Sequence, residues 1–357
     1  RAFAAMKHVG VNVAADPLLT IAYTGVTGGL VIVSADDPGC HSSQNEQDNR
    51  YYAKFAKIPM IEASNSQEAK DYMAEAYRIS EQFQTPVLYR MTTRLCHSKS
   101  LVELGERVEV APIEYKKNAK KFVAAPANAR TNHPLVEERT LQLQAFNENY
   151  ELNKEEWNGS NIGILSAGVA YHYAKEVFGD TANYLKLAMT WPLPLERIKA
   201  FADKVETLYV IEELEPFMEE ELKVHGIECI GKDLIPRCGE LNPDIIAKAL
   251  LNKDVEFQPT PTEMAVGRPP ILCAGCPHRG IFYEMSKMKR LVVTGDIGCY
   301  TLGSAEPLNT IDSVICMGAS ISMGHGANKA FEKTGSDKKV VTVIGDSTLL
   351  HTGINSL

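Results

Sequence analysis

The stretch "IPMIEASNSQEAKDYMAEAYRISEQFQTPVLYRMTT" (58–93) decides the fold class, because it places one helical repeat between two apolar runs. "IPMIEA" (58–63) and "TPVLYRMTT" (85–93) are typical of buried strands, whereas the apolar residues between them recur at helical spacing. Ser64 and Gln67 are spaced as a capping box, which predicts where the helix begins. A strand, a crossover helix and a second strand form a βαβ unit, so the sequence predicts a parallel sheet.

The same alternation of apolar strands and helical segments continues on both sides of this stretch. Further strands are predicted at "GLVIVSAD" (29–36), "NIGILSAG" (161–168), "YLKLAM" (184–189), "TLYVIEEL" (207–214) and "VVTVI" (340–344). A basic, Pro- and Ala-rich segment separates the first strands from the second group, and "QPTPTEMAVGRPP" (258–270) marks another boundary. We therefore predict an α/β fold of three parallel-sheet domains, at 1–110, 158–257 and 258–357, with a solvated linker and arm at 111–157.

Composition excludes several functional classes. The formal net charge of −8 argues against a general nucleic-acid or membrane-surface role, and no apolar stretch reaches the roughly 18 residues that span a bilayer. Eight cysteines among 357 residues suit neither a disulfide scaffold nor a small secreted domain, which favours a reducing cytoplasm. Both ends of the sequence read as domain interior, so we expect a piece of a longer chain.

Three cysteines form the sharpest chemical pattern. Cys273 and Cys276 make a C-x-x-C pair in "ILCAGCPHRG" (271–280), and Cys299 follows in "VVTGDIGCYTLG" (292–303). Three thiolates at neighbouring loop ends suit an iron–sulfur cluster. A zinc site, a redox dithiol and unliganded core cysteines are open alternatives, although no second C-x-x-C or spaced His pair completes a tetrahedral zinc site.

The turn "GDST" (345–348) follows the last apolar strand. Ser347 is predicted to cap the next helix, and Asp346 lies where a carboxylate can hold a metal-bound diphosphate. A phosphatase of the haloacid-dehalogenase type would need another aspartate close by, and a GDS-type esterase would need a later Asp/His pair. The beginning of a thiamine-diphosphate motif is the third interpretation, and it fits the nearby cysteine pattern.

Taken together, five motifs carry a resemblance to a known family. They are "MKHVGVNVAADPL" (6–18), "GGLVIVSADDPGCHSSQNEQDNRYYAKFAKIPM" (28–60), "CAGCPHRG" (273–280), "GDIGCYTLG" (295–303) and "GDSTLLHTG" (345–353). In this order they resemble the alpha subunits of indolepyruvate:ferredoxin oxidoreductases, within the thiamine-diphosphate-dependent 2-oxoacid:ferredoxin oxidoreductase family.

The resemblance implies a role for each domain and a set of cofactors. It makes 1–110 a pyrimidine-binding-type domain, 158–257 a transketolase C-terminal-like domain and 258–357 a diphosphate-binding domain. The implied cofactors are thiamine diphosphate, Mg²⁺ and 4Fe–4S clusters, some of them in a C-terminal ferredoxin-like domain that this sequence lacks. By resemblance the metal ligands are Asp346 for Mg²⁺ and Cys273, Cys276 and Cys299 for a cluster, and the cofactor-binding residues are Gly345, Asp346, Ser347, His278 and Gly298.

The implied reaction is the oxidative decarboxylation of aryl pyruvates such as indolepyruvate to the acyl-CoA, with electrons passed to ferredoxin. The implied partners are a smaller beta subunit, ferredoxin, coenzyme A and the aryl pyruvate. The family's activating glutamate is expected before Arg1, and "ADDP" (35–38) stands where related enzymes carry a carboxylate-binding arginine. Alternatives are a non-oxidative thiamine-dependent decarboxylase and a non-catalytic scaffold subunit. The candidate substrate residues are His41, Ser42, Ser43 and Gln44.

Overall fold

A computed structural model describes residues 1–111, 113–114, 116–254, 266–267 and 269–357. The chain divides into two compact units, Arg1–Phe257 and Gln258–Leu357. The predicted Pro-rich boundary at 258–270 lies mostly outside the described residues. The finer division of the first unit into two domains stays a prediction.

The first unit is built from short strands and helices that alternate along the chain. In order they are β1 (Ala2–Lys7), α1 (His8–Val13), α2 (Ala15–Thr24), β2 (Leu30–Asp36), α3 (Arg50–Ala56), β3 (Met60–Glu62), α4 (Ser66–Phe83), β4 (Val87–Thr92), α5 (Thr93–His97), α6 (Ala119–Phe122), α7 (Pro126–Glu148), β5 (Lys154–Glu156), β6 (Ile162–Ala167), α8 (Ala170–Phe178), β7 (Asn183–Leu187), β8 (Met189–Trp191), α9 (Leu195–Ala202), β9 (Thr207–Ile211), α10 (Phe217–Val224) and α11 (Pro243–Leu251).

The first sheet of this unit has the strand order β1-β2-β4-β3-β8. β2 and β3 both pair with β4 in parallel, which confirms the sheet predicted from residues 58–93. Val31, Leu88 and Ile61 are fully buried, because helices cover both faces of a parallel sheet. The continuous apolar runs of these strands follow from that burial.

Helix α4 begins one residue later than the predicted capping box requires. Asn65 is the cap: its backbone is extended and its side chain accepts a hydrogen bond from the Glu68 N–H at 2.9 Å. The Glu68 carboxylate in turn accepts from the N–H of Ser64 at 2.9 Å. The prediction on Ser64 and Gln67 was wrong because asparagine caps a helix as well as serine does, and only the backbone conformation selects between neighbours.

The second sheet has the order β5-β7-β6-β9 and is also mainly parallel. The run predicted as one strand at 184–189 divides here, because β7 pairs in this sheet whereas β8 joins the first sheet antiparallel to β3. The Glu62 N–H donates to the Ala188 carbonyl at 2.9 Å, at the point where the chain changes sheets. One continuous segment therefore ties the two sheets of the first unit together.

Helix α7 lies in the segment predicted as a solvated linker with an arm, and that expectation does not hold for it. Val136 and Leu143 are each 1% exposed, and Asn147 is fully buried. Leu143 belongs to the apolar cluster that also contains Val31 and Tyr89 of the first sheet. Three residues of this 23-residue helix are buried, and most of its other residues are polar. The hydrophobic pattern was therefore too weak to predict the packing.

The second unit contains a two-stranded parallel sheet with helices around it. Its elements are α12 (Pro277–Ser286), β10 (Leu291–Thr294), α13 (Ala319–Thr334), β11 (Lys339–Thr342) and α14 (Asp346–His351). β10 and β11 pair from Leu291 with Lys339 to Thr294 with Thr342, so their carboxyl ends lie at the same edge. Leu272, Phe282 and Val293 are buried in its core.

Candidate functional site

The turn after β11 presents an exposed carboxylate. Gly345 has an extended backbone and caps α14, and Asp346 is the first residue of that helix. The Ser347 N–H donates to Asp346 Oδ1 at 2.8 Å. The predicted cap on Ser347 was therefore wrong, because the helix starts before it. Asp346 and Ser347 are both exposed at the carboxyl edge of the sheet.

A second Gly-Asp turn follows the neighbouring strand β10, and sequence reasoning missed its carboxylate. Asp296 is fully buried and accepts hydrogen bonds from the Ile297 N–H at 2.9 Å and the Gly318 N–H at 2.8 Å. Both partners are backbone groups, so Asp296 fixes the loop after β10 and the start of α13. The repeated Gly-Asp after two apolar strands was the signal that pointed to it.

The C-x-x-C segment forms a tight turn at the start of α12. The Cys276 N–H donates to the Cys273 carbonyl at 3.1 Å, and Gly275 between them has a φ of +71°, which favours glycine. Cys276 Sγ lies 3.1 Å from His278 Nδ1. The thiol and the imidazole are therefore in hydrogen-bond contact.

Tyr300 connects this segment to the Gly-Asp turn. Its ring meets the His278 ring edge to face, with centroids 4.8 Å apart. A Cβ placed on Gly345 would lie 3.9 Å from the Tyr300 ring. Gly298, with a φ of +121°, shapes the loop that carries Cys299 and Tyr300. The second unit thus brings together the predicted cofactor residues His278 and Gly345 through an aromatic side chain that the sequence reading did not single out.

The predicted iron–sulfur ligands are not assembled. Within the part of the chain that the structure describes, no group of three or more His, Cys, Asp or Glu side chains is arranged to hold a metal. Cys273 and Cys299 are exposed, whereas Cys276 is half-buried against His278. A cluster needs several thiolates converging on one centre. The three cysteines therefore do not fit that group as they lie here.

In the first unit, Asp37 organises the loop that carries the candidate substrate residues. The Ser42 N–H donates to its carboxylate at 2.9 Å and the His41 N–H at 3.2 Å, and the hydroxyls of Ser43 and Thr93 also donate to it. Burial disfavours the ionised form of this carboxylate, but the four hydrogen bonds stabilise that form by more. They lower the pKa of Asp37 to about 2. The charged carboxylate of Asp37 therefore holds the loop in place.

The four candidate substrate residues differ in how they are engaged. His41 Nε2 lies 3.2 Å from a carboxylate oxygen of Glu240, which also pairs with Arg94. The Ser43 hydroxyl is already used on Asp37, whereas the side chains of Ser42 and Gln44 are exposed. The role of these residues as substrate contacts stays a prediction.

A buried network of charges at the carboxyl ends of four strands was also missed. Arg90 donates to Asp36 at 2.7 Å and to Glu62 at 2.6 Å, and Arg50 pairs with Asp48 and Glu212. The signal was present as charged residues inside apolar runs, in "VIVSADD" (31–37), "VLYRM" (87–91) and "YVIEE" (209–213).

Burial sets the protonation of two acids in this network. It raises the pKa of Asp36 to about 6, although Arg90 opposes the shift. It likewise raises the pKa of Glu213 to about 7 against the opposing charge of Arg90. Both carboxyls therefore hold protons at a higher pH than they would in water.

Two family profiles match the chain. Residues 34–164 match "Pyruvate flavodoxin/ferredoxin oxidoreductase, thiamine diP-bdg", and residues 296–357 match "Thiamine pyrophosphate enzyme, C-terminal TPP binding domain". The second profile begins at the buried Asp296 and includes Asp346. Indolepyruvate oxidoreductase subunit IorA of Pyrococcus horikoshii is 40% identical over 100% of this chain, and the IorA of Archaeoglobus fulgidus is 39% identical over 100%.

The chain is similar along its whole length to members of the thiamine-diphosphate-dependent 2-oxoacid oxidoreductase family. It spans about three fifths of those relatives, 61% and 60% of their respective lengths. A solved 2-oxoglutarate:ferredoxin oxidoreductase from Magnetococcus marinus aligns with 70% of this chain and 52% of its own, with a TM-score of 0.51 at 13% identity. That likeness confirms the thiamine-diphosphate-binding type of α/β fold. Among the described residues, no helix is both long and apolar enough to cross a membrane.

Proposed function

We propose that the chain is the cofactor-binding part of an enzyme that oxidatively decarboxylates aryl pyruvates such as indolepyruvate. The reaction uses thiamine diphosphate, transfers the acyl group to coenzyme A and passes the electrons to ferredoxin. The observation that carries the proposal is the similarity to indolepyruvate oxidoreductase subunits, at 36–40% identity along the whole chain. The ferredoxin acceptor is supported by the description of the profile that matches residues 34–164.

The Gly-Asp turn after β11 suits the diphosphate end of the cofactor. Asp346 offers an exposed carboxylate oxygen, the kind of ligand that Mg²⁺ prefers. Gly345 leaves the backbone accessible, since the nearest side-chain atoms to a Cβ placed there would be 3.7 and 3.9 Å away. We assign Asp346 as the Mg²⁺ ligand, with Gly345, Ser347, Gly298 and His278 against the cofactor.

When bound, thiamine diphosphate supplies an electron sink for the electron pair that decarboxylation leaves on the substrate. This chain's own residues contribute binding and shape. Asp296 holds the loop after β10 through two backbone N–H groups, so Gly298 and Tyr300 keep their places beside the turn. The His41–Gln44 loop, fixed by Asp37, is the proposed substrate-contacting segment of the first unit.

Electron transfer to ferredoxin requires a one-electron carrier, and we assign no step of it to the cysteines of this chain. Cys273, Cys276 and Cys299 do not form a ligand group among the described residues. The 4Fe–4S clusters are therefore proposed for the whole enzyme. A smaller beta subunit is the proposed partner, and eight free cysteines support a reducing cytoplasm as the location.

The test is an anaerobic assay of the intact two-subunit enzyme with thiamine diphosphate, Mg²⁺, coenzyme A and a viologen acceptor. Indolepyruvate, phenylpyruvate and pyruvate are compared as substrates. We expect viologen reduction that depends on coenzyme A and is faster with the two aryl pyruvates. Release of CO₂ without acceptor reduction would instead indicate a non-oxidative decarboxylase, and an enzyme that binds no thiamine diphosphate would indicate a scaffold subunit.

A further inference from the structure

A cleft of about 840 Å³ in the first unit lies away from the candidate substrate loop. Gly25 and Gln84 line it, and they precede β2 and β4, so the cleft is at the amino ends of these strands. The candidate loop at 41–44 follows the carboxyl end of β2. Strands of this length separate the two ends by about 20 Å at roughly 3.3 Å per residue. The cleft is therefore distinct from the candidate substrate loop.

The charge of the cleft is positive. Lys120, Lys121 and Arg139 line it, and Glu138 is the carboxylate among the described lining residues. Lys121 Nζ donates to the Val26 carbonyl at 2.9 Å and to Gln84 Oε1 at 2.7 Å. Arg139 Nη2 donates to the Ala22 carbonyl at 2.6 Å. Both cations are thus held by neutral oxygens.

Arg139 is incompletely satisfied. Its Nε is buried and has no hydrogen-bond partner among the described residues. Burial lowers the pKa of Arg139 to about 10, and burial together with Arg139 lowers the pKa of Lys121. No carboxylate contributes to either shift. A buried cation without a counter-charge is costly, so Arg139, with the partly buried cation Lys121 near it, needs a compensating group.

The carboxyl end of α2 provides part of that compensation. The Ala22 carbonyl lies in its last turn, so Arg139 interacts favourably with the helix dipole. This contact uses one N–H of a five-donor guanidinium and leaves the buried Nε unused. The helix terminus alone therefore does not account for the arrangement.

We propose that this cleft binds a phosphate-bearing small molecule, with Arg139 and Lys121 as the anion ligands. A guanidinium fork can bind two phosphate oxygens at once, and an ammonium group binds phosphate as a single point charge. Tyr23, Phe83 and Leu135 line the same cleft and give the uncharged part of the molecule an apolar wall. The volume is in the range of small-molecule sites. Lys121 lines a concave cleft, which favours a small anion over the surface of an acidic protein partner.

The test measures binding of three probes to the full chain by calorimetry: ADP, coenzyme A and inorganic pyrophosphate. We expect saturable binding of at least one probe, weakened at least about tenfold by Arg139→Gln and by Lys121→Gln. Arg130→Gln is the matched control, because Arg130 is exposed on the same helix and does not line the cleft. Thr131→Trp fills the cleft without changing its charge and should also weaken binding if Arg139→Gln fails to fold.

The order of affinities identifies the source of the phosphate: adenosine recognition favours ADP and coenzyme A over pyrophosphate. Asp346→Asn separates this cleft from the thiamine diphosphate site and should leave probe binding unchanged. The proposal is overturned if none of the three probes binds, if Arg130→Gln weakens binding as much as Arg139→Gln, or if binding is lost in Asp346→Asn.

Discussion

At the scale of single residues, two Gly-Asp dipeptides end neighbouring strands of the second unit and their carboxylates are placed differently. Asp296 is buried and accepts two backbone N–H groups, whereas Asp346 is exposed and accepts one. Both carboxylate oxygens of Asp296 accept hydrogen bonds from the backbone, whereas Asp346 keeps one carboxylate oxygen available to bind a cation. The sequence pattern alone does not distinguish them, because both follow an apolar strand.

Asp346→Asn is expected to weaken Mg²⁺-dependent binding of thiamine diphosphate at least about tenfold, since a hard cation loses a charged oxygen ligand. The amide oxygen still accepts from the Ser347 N–H, so the turn keeps its shape. Titration of the cofactor with and without Mg²⁺ measures the effect. Asp337→Asn is the control, because Asp337 is an exposed carboxylate before the amino end of β11 and outside the turn. Unchanged affinity in Asp346→Asn would remove Asp346 from the metal site.

Cys273 and Cys276 are expected to behave as a pair and Cys299 as a separate thiol. The turn from Cys273 to Cys276 places the Cα atoms of these two residues within about 7 Å of each other, which is close to the range that a disulfide spans. Oxidised glutathione should therefore link these two thiols, releasing two molecules of reduced glutathione, while Cys299 stays open to alkylation. Peptide mass spectrometry after alkylation checks this. Equal amounts of a disulfide to Cys299 would contradict the pairing.

At the scale of elements, the carboxyl ends of four strands in the first unit bury a network of opposite charges. Asp36 ends β2, Glu62 ends β3, Arg90 lies in β4 and Glu212 follows β9. Each arginine meets two carboxylates, so the network holds strands of both sheets together. Removing one partner of such a network leaves a buried charge unpaired, which strongly lowers the free energy of unfolding.

Glu213, beside this network, should make the first unit less stable as the pH rises. Burial raises its pKa from 4.5 to about 7, so the folded state keeps a proton that the unfolded chain has released between these values. The free energy of unfolding therefore falls as pH rises through this window, by about 3 kcal/mol at most. Glu213→Gln removes this titration and should be more stable than the parent chain at pH 8.

Thermal unfolding between pH 5 and 8 measures this dependence. Glu215→Gln is the matched control, because Glu215 is exposed two residues further along the chain. A pH dependence that is identical in Glu213→Gln and the parent chain would show that Glu213 does not titrate in this window.

At the scale of the whole molecule, residues that read as separate pieces in the sequence share cores. One apolar cluster contains Val11 and Met60 as well as Leu185 and Phe217, so both sheets of the first unit contribute to it. Ala188, where the chain changes sheets, and Leu143 of α7 pack together in a second apolar cluster of the same unit. Its cohesion therefore comes from contacts between distant parts of the chain.

Leu143→Ala on α7 is expected to destabilise the first unit by about 2–5 kcal/mol, because it leaves a cavity in a core cluster. Leu143 is 1% exposed, whereas Leu141 on the same helix is 67% exposed. Leu141→Ala is therefore the control and should change the free energy of unfolding by less than about 0.5 kcal/mol. Denaturant unfolding measures both. Equal small effects would mean that α7 is the solvated arm that its polar sequence suggests.

The sequence by itself determined the strands that form continuous apolar runs, such as β2, β3, β4, β6 and β9, together with the βαβ order and the parallel pairing, because apolar periodicity and crossover geometry are local properties. It also carried the resemblance to the family, through motifs whose residues are close together in the chain. Only the tertiary structure decided that Asn65 rather than Ser64 caps α4, that α7 packs into a core, and that one predicted strand serves two sheets. It also decided that Asp296 is buried while Asp346 is exposed, and that three cysteines which suit a cluster by spacing do not converge. These outcomes depend on which distant backbone groups and side chains meet, and no local pattern carries that information.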